Sequence, residues 1–369
     1  MGLAFFDHIP TDWNFPIIFL EVAIFLIAAA VLLYRYDAGG VSQKSAQLGE
    51  LTLENEVIPG AIDSVSGRIV YTKDLREACG GNINSAWLLA SRTISFLYLL
   101  IINIVDAAGQ ANLLKVYYYY TEWTLTLLVF YFGVASCVSL SEFLQLMKKG
   151  TENSNHILDT EAGYPVLRSI SRLGSDGEVQ SLDPSSTVEV VNASHLKGIN
   201  MEGASEAGWF GYSLQALFQM AVPAVFLTDG VYWLLLVPMF PKGYPRSFME
   251  WNLHGINIIF ILVEFSLNSM PFPWFRGAYF ILYSAMFTIF QWTIHGVGLV
   301  NWPYPYYFMK IDTPEAPFWY FFMAIVHVVC VLLSLLIAGV KHKIYVHLFS
   351  SKAATNAADV RRPLLETST

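Results

Sequence analysis

Seven runs of mostly apolar residues decide what this chain can fold into. They lie at roughly 16–34, 86–105, 119–146, 211–237, 251–270, 278–300 and 318–340. A helix needs about 20 such residues to cross the hydrocarbon core of a bilayer. Backbone N–H and C=O groups find no water there, so only helices and closed barrels can span. None of the runs shows the alternation of a barrel strand. The sequence therefore predicts an all-α polytopic membrane bundle of about seven transmembrane helices. Charge content agrees, because only 14% of the 369 residues are charged, against about 25% in a soluble domain.

Lys and Arg placement sets the orientation. With the N-terminus outside, the segments 35–85, 147–208, 271–277 and 341–369 fall inside and hold 16 of these residues, against 4 in the outside segments. The expectation is an N-terminus that is outside or lumenal, and a cytosolic C-terminus, in an endomembrane or the plasma membrane. The organisation then reads as an N-terminal transmembrane helix (1–34), a cytosolic loop (35–85) with a short amphipathic piece around Leu75, a six-helix core (86–340) and a cytosolic tail (341–369). Loop 147–208, with GSDGEVQSLDPSS at its centre, lacks the apolar residues to fold and is expected to be disordered, as is the tail after Ser350. The loop and tail are candidate binding segments for cytosolic partners. Asn192-Ala-Ser194 matches a glycosylation acceptor but would be silent on the cytosolic side.

A net charge of -8 argues against nucleic acid as a partner. Cys79, Cys137 and Cys330 are too scattered for a disulfide framework or a zinc site. Cys137 and Cys330 fall in spans and read as buried free thiols. No metal or cofactor is implied.

Polar residues at three- and four-residue spacing mark one face on each of four spans. The faces are Arg92, Ser95, Leu99, Ile102 and Asp106; Gln215, Gln219, Val222, Phe226 and Asp229; His254, Asn257, Ile261, Glu264 and Asn268; and Ser284, Thr288, Gln291 and His295. Such groups either join helices by hydrogen bonds, worth about 0.6–2 kcal/mol each, or serve function. Ionisable groups within a span are functional candidates first. Alternating span direction puts Thr121, Asp229, His254 and His295 in one outer layer. Arg92 and Glu264 share a depth nearer the inner side and are expected to form a structural ion pair. The tyrosines and Trp123 of KVYYYYTEW read as an interfacial belt. The proline-rich stretch 301–318 cannot form a regular helix and is expected to cap a cavity.

The segments YYYYTEWTLTLLVFYF (117–132), WNLHGINIIFILVEF (251–265) and QWTIHGVGLVNWPYPYYF (291–308) together resemble the rolling stone-like proteins and the related androgen-induced membrane proteins. The resemblance covers residues 86–340. The first span has no counterpart in six-span members. The resemblance implies a threonine hydrolase acting on fatty acid esters of hydroxy fatty acids. Thr121 matches the place of the nucleophile. His254, ten residues before Glu264, matches the place of the base, and His295 matches the second histidine.

Two readings follow from the sequence. In the first, the chain is an intramembrane lipid hydrolase with Thr121 as nucleophile and His254 as base. Here His295, Asn257 or Asp229 orients the base or binds the oxyanion, and a branched fatty acid ester enters from the membrane. In the second, the chain is a non-enzymatic scaffold, receptor-like or membrane-fusion-related protein, and the polar faces only hold the bundle together. Transport and a two-histidine haem or metal site are weaker readings, and His327 has no assigned role.

Overall fold

The computed structural model describes residues 13–38, 72–76, 78–79, 83–109, 113–161 and 208–366. Among the described residues, seven helices are long and apolar enough to cross a membrane: α1 (Asn14–Asp37), α2 (Ser85–Gly109), α3 (Tyr120–Lys148), α4 (Trp209–Met239), α5 (Phe248–Leu267), α6 (Trp274–Gly296) and α7 (Ala316–Tyr345). No strand occurs among the described residues beyond one isolated bridge, Ala78 to Ile83. The fold is that of a multi-pass membrane protein. The helix containing α3 continues to Glu161 and that containing α7 to Glu366, into segments whose composition predicts no regular structure. Alanine-rich KAATNAADV has strong helix propensity, which outweighs its polarity in the second case. Most of loop 147–208, with Asn192, lies outside the described residues.

α4 is the central helix. It packs against α3, α5, α6 and α7, while α2 joins α3 and α5, and α1 lies on α6 and α7. Its sequence explains the position. From Ala221 to Asp229 every residue is buried, and a helix that is apolar on nearly all sides has no lipid- or water-facing stripe to preserve. α1 and α7 are peripheral and turn Phe19, Leu20, Ile24, Leu332 and Leu336 outward. Such exposure carries no penalty against acyl chains, which are as apolar as leucine. Cys137 is exposed on α3, which corrects the reading of it as a buried thiol. A helix in lipid has no reason to turn a small apolar residue inward. Cys330 is buried.

Close contacts fix the helix pairs. At Gly277 an added Cβ would lie 2.6 Å from Cγ1 of Val331, so α6 meets α7 where only glycine fits. A buried polar cluster joins α2, α3 and α5. Arg92 and Glu264 are 0% and 1% exposed, with Nη2 2.7 Å from Oε1. Tyr131 donates to the same oxygen at 2.7 Å, and Arg92 Nη1 donates to Ser139 Oγ at 2.7 Å and to the Leu75 carbonyl at 3.1 Å. Leu75, on the short helix Thr72–Arg76, is thereby tied to the bundle. A second cluster ties α1 down: Arg276 Nη2 lies 2.8 Å from Asp37 Oδ1, and Tyr279 donates to Asp37 Oδ2 at 2.6 Å. Arg276 also donates to Gln215 on α4. Each charge is matched within its cluster, as low-dielectric surroundings require.

Candidate functional site

The π-distorted first turns of α5 create the first element of the site. A capping box opens the helix: the Ser247 hydroxyl accepts from the Glu250 N–H, and the Glu250 carboxylate accepts from the Ser247 N–H. Asn252–Ile256 then forms a π-helical turn in which His254 departs from helical geometry, with φ -130° and ψ 20°. Such turns break the i to i−4 ladder and are frequent at functional sites. The indole of Trp233 donates to the freed His254 carbonyl. Tyr232 stacks on the imidazole, with centroids 3.7 Å apart and planes 2° apart. Both aromatic residues come from a second π-helical turn, Val231–Leu236, at the end of α4.

Asp229, on the last regular turn of α4, places Oδ1 4.0 Å from His254 Nδ1. That nitrogen is buried and has no hydrogen-bond partner. Asn257 donates to Asp229 Oδ1 at 3.2 Å and to the Leu253 carbonyl at 2.8 Å. Asn257 thus holds the carboxylate and does not touch the imidazole through a hydrogen bond. Nδ1 facing Asp229 leaves Nε2 as the nitrogen available to a reacting group.

A cavity of about 600 Å³ runs from this point into the bundle. Its wall includes Thr121 and His254 together with Asp106, Glu122, Ser284, Thr288 and His327. Residues Pro305 to Met309 of the proline-rich loop line it as well. The loop reaches the start of α3 beside the nucleophile candidate. The Tyr306 phenol accepts from the Tyr120 N–H at 3.1 Å. Burial pushes the Tyr306 phenol up to about 12, and its contacts with Tyr120 and Thr121 offset part of the rise. The phenol is therefore neutral and retains a proton to donate near pH 7.

His295 is not in the cavity wall. Its Nδ1 is 2.8 Å from the Gln291 carbonyl, and its Nε2 is 3.1 Å from the Tyr118 hydroxyl and 3.2 Å from the Trp302 carbonyl. Its ring stacks on Tyr304, 4.0 Å between centroids. Tyr118 donates onward to the Pro303 carbonyl, and burial pushes its phenol up to about 12. His295 thus fastens the loop to α6 and to the start of α3. Of the four groups expected in one outer layer, Thr121 and His254 line the cavity and Asp229 lies 4.0 Å from His254, while His295 lies outside the cavity wall.

The sequence reading did not assign site roles to Tyr306, Tyr232, Asp106, Glu122 or His327. His327 lines the cavity and stacks on Phe280, 5.2 Å between centroids. Asp106 ends the polar face of α2, and Glu122 adjoins Thr121. Those positions were the available signals for these two. Nothing local marks Tyr306 or Tyr232 among so many aromatics.

Fold and site together define a polytopic helical membrane protein with an internal cavity bearing a threonine, a histidine and carboxyl groups. Compared with known proteins, the chain matches no family model, no curated protein and no solved structure.

Proposed function

We propose that the chain is an intramembrane hydrolase of lipid esters, of the kind implied by its resemblance to the rolling stone-like and androgen-induced membrane proteins. The observation that carries this reading is that Thr121 and His254, from α3 and α5, line one cavity large enough for a lipid head and the first part of its chain. Thr121 Oγ adds to the ester carbonyl while His254 takes its proton. Tyr306, beside Thr121, donates a hydrogen bond to the oxyanion through its phenolic O–H and keeps the proton. The C–O bond to the alcohol then breaks, and His254 returns the proton to the departing oxygen. Water attacks the acyl-threonine, again losing a proton to His254. As the acyl C–O bond to Thr121 breaks, His254 returns that proton to the Thr121 oxygen and the acid is released. Asp229 favours the imidazolium that forms in each half-reaction, and Asn257 keeps that carboxylate in place.

The orientation inferred from Lys and Arg puts this cavity in the outer leaflet, where a lipid can enter sideways. A fluorophosphonate bearing an alkyl chain tests the reading. The expected adduct maps to Thr121 by peptide mass and disappears in Thr121→Ala and His254→Ala. Absence of an adduct in folded wild-type protein, or labelling that persists in Thr121→Ala, contradicts it.

A further inference from the structure

The charge of the cavity wall identifies the kind of lipid head it takes. Among its lining residues are three carboxyl groups, Asp106, Glu122 and Glu250, and no Lys or Arg. Glu250 is engaged by the N–H of Ser247 at 2.6 Å. Asp106 and Glu122 have no such partner. Glu122 is 6% exposed and its buried Oε2 has no hydrogen-bond partner, while Asp106, on the same wall, is half-buried. Two carboxyl groups facing one cavity ionise one before the other, and once either has released its proton the wall carries a negative charge.

A negative charge on the buried Glu122 without a cation is costly unless a ligand supplies the cation. Rings of Tyr119, Phe287 and Tyr306 line the same space, and aromatic faces attract ammonium groups within about 6 Å; the Phe240 ring is already faced by the Arg246 guanidinium, 5.2 Å from its centroid. We infer that this cavity binds lipids whose head carries an ammonium group, in preference to lipids ending in a free carboxylate. A carboxylate head would meet Asp106 and Glu122 with no compensating charge in the wall. The inference takes the proposed hydrolase cavity as its site and narrows the substrate to cationic-headed or choline-type esters. It runs against the anionic fatty acid esters that the family resemblance implies.

Binding is measured on full-length Thr121→Ala protein in neutral-lipid nanodiscs, so that turnover cannot intervene. Hexadecyltrimethylammonium, hexadecanoate and hexadecanol compete against a photoreactive hexadecyltrimethylammonium analogue. The ammonium compound is expected to displace the label at least about tenfold more tightly than the carboxylate. Glu122→Gln with Asp106→Asn is expected to abolish that preference while leaving hexadecanol displacement unchanged. Equal or tighter binding of hexadecanoate overturns the inference in the unsubstituted carboxyl background, whether or not the double variant folds. Retention of the preference in a folded double variant overturns it too. An ammonium preference in a protein without ester turnover leaves this inference standing and removes the hydrolase reading. Turnover with a carboxylate preference does the reverse.

Discussion

Tyr232 lies flat against His254, with ring centroids 3.7 Å apart and planes 2° apart. The stack comes from two π-helical turns, one ending α4 and one starting α5. It fixes the plane of the imidazole where Nδ1 faces Asp229. Stacked aromatic pairs contribute about 0.5–1.5 kcal/mol beyond their buried area. Tyr232→Ala is therefore expected to lower ester hydrolysis about threefold to tenfold through loss of positioning, and Tyr232→Phe to leave it within about twofold. A phenylalanine variant as impaired as the alanine one would move the role from the ring to the hydroxyl.

Arg92 and Glu264 predict the largest effect on stability. Leaving one buried charge unpaired costs about 3–5 kcal/mol. Arg92→Met alone or Glu264→Gln alone should sharply lower the thermal midpoint in detergent. The double variant Arg92→Met with Glu264→Leu should recover most of the loss. A double variant no more stable than either single one would show that the hydrogen bonds to Tyr131 and Ser139 dominate the cluster.

Gly277 predicts a packing effect confined to two helices. A methyl group there meets Val331 at 2.6 Å, so α6 and α7 must separate. Gly277→Ala should destabilise by about 1–3 kcal/mol, and Val331→Ala placed with it should relieve part of the cost. Additive losses in the pair would argue against direct contact.

Much of this architecture is legible in the sequence, because span length and polar periodicity are local properties. The buried faces of α2, α4 and α5 are the very residues that the three- and four-residue spacing selects, including Arg92, Gln219, Asp229, His254 and Glu264. Arg92 and Glu264 share a depth by simple counting along the helices. His295 shows where periodicity stops. It shares a face with Ser284 and Thr288, but height along α6 carries it past the cavity to Tyr118 and Trp302. The contact of Tyr306 with Tyr120 was illegible because it joins segments far apart in the chain, and only packing brings them together.

Tyr118 and Tyr306 together predict a pH response of the capping loop. Burial pushes both phenols up to about 12, against an unfolded value of about 10. Each proton is held more tightly in the native fold, so the stabilisation is complete below about pH 10 and falls as pH rises from there toward 12. Hydrogen exchange in 301–315 should accelerate across that interval. Tyr118→Phe with Tyr306→Phe should flatten the response. Acceleration beginning well below pH 10 would assign the opening to other groups.

The most direct test of the central claim is hydrolysis of a long-chain ester by purified full-length protein in nanodiscs, comparing wild type with Thr121→Ala, Thr121→Ser and His254→Ala. Wild type should release fatty acid, and Thr121→Ser should retain measurable turnover because it keeps the hydroxyl. His254→Ala should fall by at least about 100-fold, and Thr121→Ala should fall to background. A folded Thr121→Ala protein that cleaves the ester at the wild-type rate would contradict the account.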